Sequence, residues 1–154
     1  MEFGVLIRKM IDGVIAGDGE VVAMCFTPDG VYHDVFYGAF EGRERIAEMI
    51  RNYFHRDGCN FRWDIHQPVS DGTTGYARYV FSYESKLEEA KGKRTMFEGV
   101  AIVTLKDGLI KTYTEVANSA LGLQRIGFEP DRLARFIKKQ GEELAARDES
   151  KGHL

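Results

Sequence analysis

Only two cysteines, Cys25 and Cys59, occur among the 154 residues. They are too few and too far apart for a disulfide framework or a zinc site. The chain also lacks a basic run. Its 21 Lys and Arg stand against 24 Asp and Glu, for a net charge of −3, so the electrostatic footprint of a nucleic-acid binder is missing. No apolar stretch approaches the roughly 20 residues that a membrane helix needs. Met1 to Gly17 mixes acidic with apolar residues and lacks the basic-then-apolar order of a signal peptide. No Gly-rich phosphate loop, nucleophile elbow or catalytic-triad order is visible. The four histidines have no metal-ligand spacing. These absences set the expectation: a cytoplasmic domain with reduced thiols, no metal, no cofactor, and neither nucleic acid nor membrane as partner.

What is present suits one domain. The length falls within one domain's range, and 44% of residues are hydrophobic and 12% aromatic. Folding at this size hides roughly two-thirds of the surface, enough for a core without staples. A single domain is expected over 1–146, followed by a polar, disordered tail at 147–154.

The first half reads as helix. Phe3, Leu6, Ile7, Met10, Ile11, Val14 and Ile15 recur at spacings of three and four, one apolar stripe that stops at Gly17-Asp18-Gly19. Asp18 is placed to cap a short second helix, Glu20 to Phe26. Thr27-Pro28-Asp29-Gly30 reads as a turn and Val31 to Tyr37 as a short strand. Arg43 to His55 returns to helical spacing. From residue 61 the period changes to two. Phe61, Trp63 and Ile65 alternate with Arg62, Asp64 and His66, and a long strand over Thr74 to Ser85 puts Tyr79, Phe81 and Tyr83 on one face. Strands over Thr95 to Lys106 and Leu109 to Asn118 flank Asp107-Gly108, a strong hairpin signal. Asp131 to Ala146 is an amphipathic helix behind Pro130, with Leu133, Phe136, Ile137 and Leu144 on one side. Helices first and consecutive antiparallel strands afterwards mean α+β. A strongly twisted sheet can curl around the first helix into a cone with an apolar mouth.

That order of elements, with several local strings, resembles the nuclear transport factor two-like superfamily and its SnoaL-like branch. The strings are Ala16-Gly17-Asp18, Phe26-Thr27-Pro28-Asp29-Gly30-Val31, Gly38 through Gly42 with Ile46, Asp71-Gly72, Phe97-Glu98-Gly99, and Lys106-Asp107-Gly108-Leu109-Ile110 through Glu115. They span residues 3 to 127. The resemblance implies a cone-shaped α+β barrel, here with an extra C-terminal helix, that binds a small apolar molecule. It also implies a homodimer through the outer sheet face, where alternation puts Val80, Val100 and Ile102. It does not choose among isomerases, dehydratases, epoxide hydrolases, cyclases and scaffolds.

Asp34 sits where ketosteroid isomerase-like members carry a carboxylate base, and desolvation in a cone would raise its pKa toward that use. The competing expectation is a strand-end residue bonded to the following loop. The rest of that isomerase set is missing, because its tyrosine position falls near Met10 and its second acid near Gly99 to Ala101. The epoxide hydrolase set matches only at Arg78, with Val80 and Asn118 at its acids. A cyclase-like acid–base residue belongs near Asn118, three residues after Glu115. By alternation, if Ile110 points inward so does Asn118, and Glu115 faces out; one bulge would reverse that. His66 and His33 are further candidates as proton shuttles. The expected catalytic residues are therefore Asp34, His66 and Asn118. Tyr32, Trp63, Tyr79, Phe81, Phe54 and Phe97 are the expected ligand wall, or else the core of a curved sheet.

Overall fold

The spacing of apolar residues near the start produces helix α1, Phe3–Ala16, in a computed structural model that describes residues 1–154. Its stripe of Leu6, Ile7, Met10, Ile11 and Val14 is buried, and each such side chain contributes about 1.5–3 kcal/mol. Gly17 ends the helix at φ 72°, a left-handed conformation that glycine adopts without steric cost. Asp18 caps α2 (Gly19–Met24) by accepting the Val21 N–H at 3.0 Å.

Strand β1 (Phe26–Asp34) begins earlier than expected. The anticipated turn at residues 27–30 is an irregularity inside the strand, where pairing with the last strand slips between Phe26 and Val31. β1 then turns into β2 (Gly38–Glu41). The expected single helix from Arg43 is α3 (Arg43–Met49), a π-helical turn (Ile50–Phe54) and α4 (His55–Asp57) in succession.

Four long strands follow: β3 (Gly58–Ser70), β4 (Thr74–Ser85), β5 (Arg94–Lys106) and β6 (Leu109–Ala117). The sheet order is β2-β1-β6-β5-β4-β3, antiparallel throughout except for the parallel pair of β1 and β6. Alternation decides which face each residue takes. Tyr79, Phe81, Phe97, Ala101 and Val103 are buried on the inner face, in the same core cluster as the α1 stripe, while Tyr76, Arg78, Met96 and Val100 point to the outer face and are exposed.

One slip changes that parity. Thr104 pairs with Thr112 but Leu105 pairs with Ile110, leaving Lys111 as an extra residue on β6. Ile110 and Tyr113 are consequently both fully buried, although three residues apart. A segment expected only as a connection contains α5 (Ser119–Arg125), and α6 (Pro130–Ala145) follows with proline in its first turn. Of the expected α6 stripe, Leu133 and Phe136 pack against the body while Ile137 and Leu144 are exposed. Residues 147–154 contain one 3₁₀ turn, Asp148–Ser150, tied back by a bond from Ser150 Oγ to the Leu144 carbonyl at 2.6 Å. No helix is long and apolar enough to cross a membrane.

Candidate functional site

The parallel pairing of β1 with β6 matches Tyr32 to Tyr113, and their rings stack at 4.7 Å. Two residues further along each strand stand Asp34 and Glu115, both lining one small inner chamber of about 20 Å³. The bulge at Lys111 makes this possible. Without it, Glu115 would face out and Asn118 in; with it, the assignment is reversed.

Asp34 is bonded to the loop that follows it and also lines the chamber. Its Oδ1 accepts the N–H groups of Phe36 at 2.8 Å and Tyr37 at 3.0 Å, which turns the chain toward β2. Its Oδ2 has no protein donor and is left for the chamber. Burial pushes the Asp34 carboxyl up to about 6, held back by those two backbone bonds. Glu115 is pushed higher, to about 8, by burial first and the nearby Asp34 charge second. Its carboxylate accepts the Tyr113 hydroxyl. Two carboxyls lining one aromatic chamber thus have their proton affinities set apart.

Around the acids the structure gathers Tyr32, Phe54, Trp63, Tyr79, Phe81 and Phe97, the six aromatic residues expected as a ligand wall. Phe54 arrives from the π-helical turn, a local distortion frequent at functional sites. Tyr79 and Trp63 each hold a buried polar atom, Oη and Nε1, that has no hydrogen-bond partner in the protein. Burial first, and then the charge of the adjacent Glu115, raise the Tyr79 hydroxyl, which faces that carboxyl without closing a bond of good geometry. Gly99 leaves room for that hydroxyl: a Cβ there would lie 2.6 Å from it.

Phe36, Phe54 and Phe81 separate the inner chamber from a larger outer one of about 230 Å³. The outer chamber is lined by Phe61 and Tyr83 of the sheet and by Leu123, Phe128 and Phe136 of the C-terminal helices and their connection. Phe136 lies over Phe36 at 6.0 Å. The main polar group there is Asp57, whose carboxylate accepts the Tyr37 hydroxyl at 2.7 Å and a two-pronged Arg56 guanidinium at 2.7 and 2.9 Å. Arg56 holds the Asp57 carboxyl below its ordinary value.

Two expected catalytic residues lie elsewhere. His66 stands opposite Arg78 in the β3–β4 register and borders a polar groove beside Arg8 and Asp12, on the opposite parity to Trp63. Asn118 is exposed just after β6, next to Val116 on the outer face. His33 is exposed as well. Arg78 faces outward, 4.0 Å from Glu98. His55 is bonded to the Val14 carbonyl at 2.6 Å, a structural role at a helix end. Unbroken alternation would put Glu115 on the outer face, and the bulge that reverses it is present; Phe36, Phe128 and Phe136 are not among the residues expected in the wall. The β6 bulge carries no glycine or proline to announce it. The three phenylalanines reach the cavity from loops and the last helix, where no periodicity points at a ligand. No group of three or more His, Cys, Asp or Glu side chains is arranged to hold a metal ion.

A helix-filled α+β cone, with acids and aromatic rings in its mouth, defines the class. The SnoaL-like domain family matches residues 7–113, and the chain belongs to that family. No curated protein sequence matches it. Solved structures share the fold. A protein from Catenulispora acidiphila with a ketosteroid isomerase-like fold, crystallised with trimethylamine, superposes with a TM-score of 0.72 at 15% identity, covering 82% of this chain and 95% of the other. An LEH-like epoxide hydrolase from M. tuberculosis gives 0.64 at 16% identity, covering 88% and 94%. IdmH from Streptomyces antibioticus, a proposed polyketide cyclase, gives 0.67 at 15% identity, covering 82% and 99%.

Proposed function

We propose that this protein binds a small apolar or aromatic molecule in the cone and moves a proton on it, as an isomerase, dehydratase or cyclase does, with Asp34 as base and Glu115 as acid. The observation that carries this reading is the pair of carboxyls in one aromatic chamber with proton affinities on opposite sides of neutrality. Near pH 7 Asp34 is mostly ionised and takes a proton from a C–H bond. The electron pair of that bond moves into the substrate, and Glu115, still protonated, delivers a proton to the atom that gains the pair. General acid–base groups placed this way contribute typically about 10²–10⁴-fold.

The test uses 2-tetralone, an apolar bicyclic ketone with an acidic C–H next to its carbonyl. In D₂O the protein should accelerate exchange of that hydrogen, followed by NMR. The rate should be bell-shaped in pH, rising as Asp34 ionises near 6 and falling as Glu115 ionises near 8. Asp34→Asn should remove the acceleration. Exchange by Asp34→Asn at the wild-type rate would refute the reading.

The outer sheet face supports a second element of the proposal. Tyr76, Met96, Val100 and Val116 are exposed there, an apolar strip that a two-fold homodimer would cover. Light scattering at micromolar concentration should report twice the 17.4 kDa chain mass; a monomer would overturn this part.

A further inference from the structure

We infer that the outer chamber and two cations at its mouth form a binding site for an aromatic acid, with the ring body among the phenylalanines and the carboxylate against Arg56 and Lys86. The site extends the small-molecule reading of the cone and rests on it for one point: the reacting end of the ligand lies inward, toward Asp34. The chamber itself holds about 230 Å³, and ten of its twelve lining residues are hydrophobic, so it takes an apolar or aromatic body. Leu123, Phe128 and Phe136 of that lining lie beyond residues 7–113, the part matched by the SnoaL-like family. The segment after the family domain therefore supplies one wall, and with it a share of the selectivity.

Donor and acceptor accounting at the mouth sets the charge of the ligand. Asp57 is the only charged residue in the lining, and its carboxylate is already taken. Oδ1 accepts Arg56 Nε at 2.7 Å, while Oδ2 accepts Arg56 Nη2 at 2.9 Å and the Tyr37 hydroxyl at 2.7 Å. What is left over is positive. Lys86 folds back over the same turn: its backbone N–H donates to the Asp57 carbonyl at 2.9 Å and its Nζ to the His55 carbonyl at 2.8 Å. Its charge adds to the stronger effect of Arg56 in holding the Asp57 carboxyl down. Both cations are held in place, since Arg56 also lies over the Tyr53 ring at 5.1 Å. An ammonium has three N–H donors, of which Lys86 spends one, and a guanidinium has five, of which Arg56 spends two. Glu89, on the turn after Leu87, does not compete for them because it is paired with Arg132 at 2.7 Å. A ligand carboxylate would meet the unspent donors in charge-assisted bonds. An amine would meet two like charges beside a carboxylate that is already engaged.

The experiment titrates three probes of similar shape into the unmodified protein by calorimetry: 2-naphthoate, 2-naphthamide and 2-naphthylmethylammonium. The naphthoate should bind about tenfold tighter than the amide, the difference expected for hydrogen bonds to charged groups, and the ammonium should bind weakest. Raising the salt to about 0.5 M should shrink the preference, because charges at the mouth are screened. Lys86→Met should bring acid and amide to within about threefold of each other. Phe136→Ala should weaken naphthoate by about tenfold. Equal affinity for acid and amide, a preference for the ammonium, or an acid preference unmoved in Lys86→Met would overturn the inference. Naphthoate binding undiminished in Phe136→Ala would place the ligand outside the chamber and overturn it too, as would binding of none of the three. The probes carry neither a ketone nor an acidic C–H bond, so their binding is separate from the chemistry of Asp34. A naphthoate preference without exchange of 2-tetralone would uphold this site and overturn the acid–base reading. Exchange without the preference would do the reverse.

Discussion

Asp34 and Asp57 are chemically identical side chains at the two ends of one cavity, and their surroundings push them in opposite directions. At the mouth, Asp57 meets the Arg56 guanidinium and the Tyr37 hydroxyl and is held below its ordinary value. Inside, Asp34 meets aromatic rings and a second carboxyl, and burial outweighs its two backbone bonds. The mouth carboxyl is therefore a fixed anion, whereas the inner one is poised to exchange a proton. Opposite charge and water make the first; their removal makes the second.

The largest expected contrast is chemical. Asp34→Asn should cut 2-tetralone exchange by about 10²–10⁴-fold, while Asp57→Asn should leave it within about threefold, both read by NMR in D₂O. A comparable loss in both variants would erase the distinction.

The next contrast lies in stability against pH. Unfolded, Asp34 and Glu115 ionise near 3.8 and 4.5; folded, near 6 and 8. The native state holds more protons across that window, so these groups favour folding below about pH 4 and lose that contribution as pH rises through 6 and then 8. At about 1.4 kcal/mol per pH unit, the loss is on the order of 3 kcal/mol for Asp34 and 5 kcal/mol for Glu115. The double variant Asp34→Asn/Glu115→Gln should thus have a flatter melting-temperature profile and exceed the wild type at pH 9, measured by calorimetry. Asp57 has the opposite sign, since its lowered value contributes stability above pH 4 that disappears as pH falls through its folded value.

Smaller effects concern the mouth. Phe136→Ala should weaken 2-tetralone binding by about tenfold, because the ring covers Phe36 and caps the outer chamber. Fluorescence titration of Trp63 measures it. Asp57→Asn should destabilise the fold by no more than about 1 kcal/mol at pH 7, because Arg56 is 57% exposed and its ion pair is screened by water. Denaturant unfolding checks that value.

Much of the fold could be read in advance because its signals are local. The 3.6-residue stripe of α1, the period of two in β4 and β5, and Asp107-Gly108 are each explained by neighbours in sequence. The α+β order and the cone followed from them. The site was legible only in part. The six aromatics lie on strands or in the helical stretch that begins at Arg43, so alternation and spacing find them, while Asp34 is marked by the family resemblance. Alternation misplaces Glu115, because the unpaired Lys111 exchanges the two faces of β6, and a one-residue slip leaves no mark in composition. The meeting of Asp34 with Glu115 also depends on a parallel pairing across about eighty residues, which no local pattern specifies. His66 and Asn118 were attractive for their chemistry and lost to the same parity rule.

One titration bears on the central claim most directly. With side-chain carboxyl ¹³C labels on aspartate and glutamate, NMR should show one aspartate with a midpoint near 6 and one glutamate near 8, both missing from Asp34→Asn/Glu115→Gln. If every carboxyl in the folded protein titrates near 4, the inner chamber is wet and the acid–base pair described above does not exist.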